Sequence, residues 1–218
     1  MRSKRHDGPM RFFLFAAALT VLLFSMTACG NGGMNLHPYQ DSSFTPQHFS
    51  VCSGYSCYYR TPAEMTKSQW NRVLRSFKPA AKTPEKERQQ IAKAMKLIEI
   101  YAGKSSGLTE DKAQAETFEK DRPTQMDCID ETINASLYLD FIHEAGVLKF
   151  HEKSPPVHRG YFIDGAWPHN SAAIREKETK EIYVVDSYYR AYGNEPYIMP
   201  LKTWAAFWRP EDDKPKEN

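Results

Sequence analysis

The sequence predicts an α+β fold in which N-terminal helices and a cysteine-bearing helix pack on an antiparallel sheet. Before Gly146 the apolar residues recur at helical spacing, whereas after it short β-branched and aromatic runs alternate with polar turns. The connections between the later runs are short, which favours antiparallel pairing because parallel strands need long crossovers. Helices and strands in separate parts of one chain are typical of the α+β class.

Residues 1–28 have the pattern of an export signal and are set apart from the domain. Basic residues lead into an apolar run of 13 residues from Phe12 to Phe24, which is too short to cross a membrane comfortably. The small residues that follow end at Cys29 and resemble the lipobox of bacterial lipoproteins. That resemblance implies lipid on the Cys29 thiol and a place in the cell envelope, at the periplasmic side of the outer membrane in a Gram-negative cell. An ordinary secretory signal with a chance cysteine is the alternative.

The rest of the chain divides by composition into three parts. Residues 29–47 are polar and lack periodicity, which is typical of a tether. Residues 48–210 are numerous enough for one domain with a hydrophobic core, and residues 211–218 form a charged tail.

The apparent basicity of the chain belongs to its export signal. The whole sequence has 29 Lys and Arg against 27 Asp and Glu, and the signal contains four of the former and one of the latter. Subtracting them leaves 25 basic against 26 acidic residues. Since no Lys/Arg stripe is interleaved with aromatic residues either, the composition excludes a nucleic-acid-binding protein.

Two helices are predicted before the cysteine-bearing one. The first covers residues 62–77, and the second begins at Pro84 and is closed by Gly103. Residues 104–126 then form a long polar connection, with a short helix predicted near 111–118. Connections of that length are often functional, so this segment is predicted either to line a cleft or to be an ordinary surface loop.

A lone cysteine stands in the first turn of the third predicted helix. Asp127 is the predicted N-cap, and Gly146 ends the helix. Cys128 then lies where free backbone N–H groups and the helix dipole favour a thiolate. A small buried residue at a helix start is the alternative. The apolar stripe behind the cysteine comprises Ile129, Ile133, Leu137 and Phe141.

The remaining cysteines leave Cys128 unpaired. Cys52 and Cys57 are five positions apart around a Ser-Gly turn, within a segment rich in β-branched and aromatic residues. An exported chain permits disulfides, so a small hairpin with a Cys52–Cys57 bridge is predicted. With Cys29 lipid-modified, Cys128 is an odd thiol and a candidate reactive residue.

Four strands are predicted after the cysteine helix. They cover residues 147–151, 160–163, 167–175 and 181–187, with Pro155-Pro156 as the break after the first. A hairpin centred near 177–178 places His169 opposite Asp186, where cross-strand partners share one face of a sheet. A short helix at 202–208 completes the domain.

Together these residues resemble the transglutaminase-like branch of the papain-like cysteine enzymes. The matching pieces are residues 127–131, 167–170 and 183–187. The resemblance implies a transglutaminase-like fold and acyl transfer from a peptide or protein amide, to water or to an amine, without a cofactor. It implies Cys128 as nucleophile, His169 as base and then acid, and Asp186 as the group that orients the imidazole.

Some features of the sequence leave alternatives open. The Cys128 N–H is the natural first oxyanion donor and Gln125 the candidate second. The negative charges of Asp127, Asp130 and Glu131 near Cys128 oppose thiolate formation. His151 or His158 could occupy the place of His169. The same side chains could also hold zinc, with His158 as a fourth ligand, or the chain could be a non-catalytic envelope scaffold or partner-binding module that keeps the fold.

Overall fold

A computed structural model describes residues 34–39, 41–115, 123–161 and 168–211. The export signal, Cys29 and the end of the charged tail therefore lie outside the described residues, as does Trp167, and what is predicted for them stays a prediction. No helix within the described part of the chain is long and apolar enough to cross a membrane.

The described residues form four α-helices and two antiparallel sheets, which confirms the α+β class. The helical elements precede the larger sheet except for one short helix at the end. In chain order the elements are β1 (Phe49–Ser53), β2 (Tyr59–Ala63), α1 (Lys67–Leu74) with a 3-10 turn (Arg75–Phe77), α2 (Pro84–Ser106), α3 (Cys128–Glu144), β3 (His151–Arg159), β4 (His169–Glu176), β5 (Ile182–Asp186), β6 (Tyr197–Pro200) and α4 (Leu201–Ala205).

The larger sheet has the strand order β3-β4-β5-β6, and α3 packs against β4 on one of its faces. Side chains alternate along each strand, so Ala172 and Ile174 join the main core with α2 and α3. Ala173 and Val184 point the other way and pack with Trp204 of α4. The sheet therefore separates the layer that carries Cys128 from the layer that carries Trp204.

The first strand of this sheet differs from its prediction. Residues 147–150 lie outside it, and β3 instead runs through Pro155 and Pro156, where the pairing with β4 shifts between Ser154 and Val157. Proline lacks a backbone donor, but β3 is an edge strand and one of its sides needs none. Of the predicted strand 160–163, Gly160 and Tyr161 lie outside the strands and the rest lies outside the described residues.

Both early helices also differ in their ends. Pro62 belongs to β2, and Thr66 caps α1 with its side chain. Helix α2 passes through Gly103 and ends at Gly107, which has a φ of 80°. Gly103 is needed inside the helix because a Cβ there would overlap the ring of Tyr192. No helix forms over residues 111–115, and residues 116–122 lie outside the described part.

Candidate functional site

Cys128 is the first residue of α3, and two carboxylates shape the helix start around it. Asp127 accepts from the N–H groups of Ile129 at 3.0 Å and Asp130 at 2.8 Å, which confirms it as the N-cap. Asp130 returns the bond by accepting from the Asp127 N–H at 3.1 Å. This reciprocal capping box satisfies donors that the first helical turn would otherwise leave open.

The Cys128 thiol is half-buried and free, whereas Cys52 and Cys57 form the predicted disulfide. Burial is the main cause that raises the pKa of Cys128 to about 11, and the charges of Asp127, Asp186 and Asp130 add to it. A hydrogen bond from the backbone N–H of Asn170 acts in the opposite direction. In the absence of a substrate the thiol form therefore dominates at neutral pH.

His169 and Asp186 meet in the layer opposite α3. The imidazole Nε2 lies 3.0 Å from Asp186 Oδ2, and both side chains are buried. Asp186 also accepts from the Trp204 indole N–H at 2.6 Å and from the Tyr188 backbone N–H at 3.2 Å. A carboxylate with three such partners holds a fixed position and can orient one imidazole nitrogen.

The pair forms although the register between the two strands differs from the predicted one. Ala172 pairs with Val185, so extending the ladder places Ser171, rather than His169, opposite Asp186. His169 lies two residues before Ser171 in β4, and side chains two positions apart in a strand point to the same face of the sheet. A diagonal contact of this kind is within reach of a long side chain.

The structure brings the thiol to the residue next to His169, not to its ring. Cys128 Sγ accepts from the backbone N–H of Asn170 at the start of β4, and the hydrogen bonds of the described residues include none between Cys128 and His169. His169 lies with Trp204 on one face of the sheet, and Cys128 lies with α3 on the other. His169 Nε2 contacts Asp186, so Nδ1 is the imidazole nitrogen that faces away from this carboxylate.

An aromatic and cationic setting around His169 was not predicted from the sequence. The rings of Tyr188, Tyr189 and Trp204 lie with their centroids 5.0, 5.6 and 5.4 Å from the imidazole. The Arg159 guanidinium lies 4.4 Å from the Trp204 ring centroid, donates to the Trp204 carbonyl and donates to Tyr189 Oη at 2.8 Å. Arg159 therefore fastens two of the three rings that enclose His169.

Gln125 is buried just before the helix, with its side chain bonded to the preceding loop. Its amide Nε2 donates to the Glu110 carbonyl at 2.8 Å, and its Oε1 accepts from the Lys112 N–H at 3.3 Å. These bonds compete with the oxyanion role predicted for Gln125, which stays a prediction. They also tie the start of α3 to residues 110–112.

The other two candidate histidines have partners of their own. His151 is fully buried, with Nδ1 3.0 Å from Glu87 Oε1 and Nε2 3.3 Å from an Arg88 nitrogen. His158 lies 3.1 Å from Asn170 Oδ1 and 2.8 Å from the Gly160 carbonyl. Within the described ranges no group of three or more potential metal ligands assembles, so the zinc alternative gains no support there.

A buried carboxyl cluster lies behind the helix start and was also missed. Burial is the main cause that raises the pKa of Glu99 to about 8 and that of Asp111 to about 7. It raises the pKa of Glu131 as well, so this acid, predicted to oppose the Cys128 thiolate, belongs to the cluster instead. Asp111 accepts from the Met126 N–H at 2.6 Å and thereby links the cluster to the cysteine helix.

Comparison of the chain with protein-family models, with curated proteins and with solved structures finds no match. The geometry around Cys128 and His169 is therefore the ground for a functional conclusion.

Proposed function

We propose that this protein is a cysteine-dependent acyl-transfer enzyme that acts on an amide, with Cys128 as nucleophile. The observation that carries the proposal is the 3.0 Å contact of His169 Nε2 with the buried Asp186 carboxylate, next to the residue whose backbone meets the thiol. A thiol, an imidazole and a carboxylate in this order form the arrangement of a nucleophile, a base and an orienting group.

The reaction follows from these roles. Asp186 holds the imidazole with Nδ1 towards the thiol, and Nδ1 takes the proton as Cys128 Sγ attacks the carbonyl carbon. The tetrahedral intermediate then expels the amine, which receives that proton from the imidazolium of His169. The thioester left on Cys128 is resolved by water or by a second amine, with the imidazole again accepting the proton of the attacking group.

The raised pKa of Cys128 decides how the thiol is activated. With burial and three carboxylates raising it to about 11, a thiolate held before substrate binds is disfavoured. Proton transfer to His169 therefore accompanies the attack on the carbonyl, as general-base catalysis requires. The imidazolium formed in that step is stabilised by the Asp186 carboxylate.

The oxyanion needs donors at the same helix start. The Cys128 N–H belongs to the first turn of α3, whose N–H groups have no intrahelical acceptor. Gln125 is the proposed second donor, and its amide would have to leave the Glu110 carbonyl to serve. Substrate binding against residues 110–112 would break this hydrogen bond and free the Gln125 amide.

The proposal extends to the family and the location that the sequence predicts. The order Cys128, His169, Asp186 on a helix and two antiparallel strands supports a transglutaminase-like enzyme. The lipobox-like segment before Cys29 supports a lipid-anchored envelope protein, whose substrate would be a peptide or protein amide.

A non-catalytic, partner-binding module is the second candidate function. The observation that favours it is the half-buried thiol, whose pKa is raised and which has no hydrogen bond to His169 among the described residues. Under this alternative Cys128 fills space at the helix start and His169 with Asp186 fastens α4 to the sheet. The two functions differ in what His169 does for the thiol.

Alkylation of Cys128 by iodoacetamide, followed by mass spectrometry of its peptide across pH, separates the two. For an enzyme, His169→Ala should slow alkylation at neutral pH by about tenfold or more, because the thiol loses the base that accepts its proton. His143→Ala is the matched control, since His143 lies near the other end of the same helix. Equal rates in the wild type and His169→Ala would favour the binding module.

A further inference from the structure

The turn between β1 and β2 binds the carboxylates that cap the cysteine helix. The Tyr55 N–H donates to Asp130 Oδ2 at 2.9 Å, and the Cys57 N–H donates to Asp130 Oδ1 at 2.5 Å. Between them the Ser56 N–H donates to Asp127 Oδ2 at 3.2 Å. Three successive backbone donors therefore converge on the helix start that carries Cys128.

These donors converge because the turn adopts an unusual backbone conformation. Gly54, Tyr55, Ser56 and Cys57 have φ values of 80°, 76°, 53° and 58°. Only glycine adopts this left-handed region freely, so three of the four residues are held there by their surroundings. Successive N–H groups in such a concave turn form an anion-binding site, and here two carboxylates of the same chain occupy it.

Two further features hold the turn in place. The Cys52–Cys57 disulfide closes it, so its ends cannot separate. Asn134 of α3 accepts from the Cys52 N–H at 2.8 Å and donates to the Cys52 carbonyl at 2.9 Å. On the other side the Gly54 N–H donates to the Gln125 carbonyl at 2.8 Å, three residues before the helix begins.

We propose that this disulfide-closed turn is a positioning element for Cys128, which acts by binding the Asp127 and Asp130 carboxylates at the start of its helix. The inference rests on the proposed function, because a positioned thiol matters only where the thiol reacts. It assigns a role to the hairpin, which lies far from the cysteine in the sequence.

Loss of the turn should change the charge that faces the thiol. The charged groups around Cys128 are Asp127 and Asp130 at the helix start and Asp186 on β5, while β4 contributes His169 and the Asn170 N–H. Asp130 itself faces Asp127 and Glu131. The three N–H dipoles offset part of the negative charge on the two capping carboxylates. Because the pKa of Asp130, about 8, is below that of Cys128, about 11, the charge of Asp130 is present where the thiol titrates. Without the donors more negative charge therefore opposes the thiolate, and Cys128 should titrate at higher pH.

The test is the pH dependence of Cys128 alkylation by iodoacetamide in a matched pair of variants. Ser56→Val retains the N–H but disfavours the left-handed conformation, whereas Ser56→Gly retains the N–H and adopts it freely. The Ser56→Val midpoint should rise by about one pH unit, so that alkylation at pH 9 is about tenfold slower than in the wild type. Ser56→Gly should titrate as the wild type, as should Arg60→Ala, which alters the hairpin outside the turn.

A second variant keeps the proposal testable if Ser56→Val does not fold. The double substitution Cys52→Ser with Cys57→Ser opens the turn, and it should raise the midpoint in the same direction. Asp130→Asn, which retains the shape and removes the charge, decides the outcome if the double variant fails to fold: it should lower the midpoint, because the carboxylate that the turn binds faces the thiol. A wild-type profile in any of these folded variants overturns the positioning role. Failure of the proposed function is seen separately, as an unchanged alkylation rate in His169→Ala.

Discussion

The indole N–H of Trp204 donates to the same Asp186 oxygen that meets the His169 imidazole. Trp204 comes from the short helix α4, and its ring also lies beside that imidazole with centroids 5.4 Å apart. One residue near the end of the domain therefore fixes the Asp186 carboxylate and packs beside the His169 ring. Its position makes α4 part of the candidate site and not only a terminal appendage.

Trp204→Phe should weaken this arrangement, because it keeps an aromatic ring at the position and removes the indole N–H. Asp186 loses a buried donor, and an unsatisfied buried acceptor costs about 1–3 kcal/mol. We expect a decrease of that size in the free energy of unfolding by urea, together with slower turnover of any amide substrate. Trp70→Phe is the control, since Trp70 packs edge-on against Phe141 and changes only its ring. Equal losses in the two variants would contradict a special role for the indole N–H.

The triad itself predicts unequal and non-additive losses. Cys128→Ala and His169→Ala should each abolish turnover, because one removes the nucleophile and the other the base. Asp186→Asn should leave residual activity, since the amide still occupies the place of the carboxylate. A double variant should be no worse than the worse single variant, because the residues act as a unit. Wild-type turnover by Cys128→Ala would end the enzymatic interpretation.

The buried cluster of Glu99, Asp111 and Glu131 predicts lower stability at alkaline pH. The pKa values of Glu99 and Asp111, about 8 and 7, exceed those of unfolded carboxyls, so the folded state binds extra protons. That stability is complete below the ordinary carboxyl pKa of about 4 and is lost as pH rises through about 8. Each extra proton contributes a slope of about 1.4 kcal/mol per pH unit.

Glu131→Gln tests this cluster by removing one of its charges. We expect a smaller fall in the free energy of unfolding between pH 5 and pH 8 than in the wild type, measured by urea titration at each pH. Glu144→Gln, near the other end of the same helix, is the control. The same pH slope in Glu131→Gln as in the wild type would show that the cluster does not control it.

Glu87 predicts the opposite dependence at the acid end. Burial raises its pKa, but His151 and the N–H groups of Lys149, Phe150 and His151 together lower it below the ordinary value. The stabilisation is present above the unfolded pKa and is lost as pH falls through the folded one. Glu87→Gln should therefore unfold less steeply with acid than the wild type, at a cost of about 2 kcal/mol at neutral pH. Thermal unfolding from pH 3 to pH 7 measures both effects.

Local hydrogen bonding explains why the start of α3 could be predicted from the sequence. An Asp before a helical stripe satisfies the first free N–H groups whatever packs around it, so Asp127 was assigned as the cap. The disulfide was equally local, since five positions around a glycine turn bring two cysteines together. The class of the fold also followed, because helical and strand periodicity occupy separate parts of the chain.

Other features depend on contacts that have no local signal. The β4–β5 turn includes Lys180 with a φ of 62°, and the register differs by two residues from the predicted one. Prolines are tolerated inside β3 because this strand lies at the edge of the sheet. The order of the strands has no local signal, so the sequence predicted a break at Pro155 and Pro156 instead. The left-handed turn at Tyr55–Cys57 depends on carboxylates more than 70 positions away in the sequence.

The prolines of β3 have a consequence for how copies of this protein meet. An edge strand offers unpaired backbone groups to which a strand from another molecule can add, and this is a common start of aggregation. Neither Pro155 nor Pro156 has an N–H that could pair with a further strand, and the shifted pairing beside them bends the strand. The opposite edge, β6, ends at Pro200 and turns at once into α4. Both margins of the sheet are therefore poor templates for the addition of a strand from another copy of this protein.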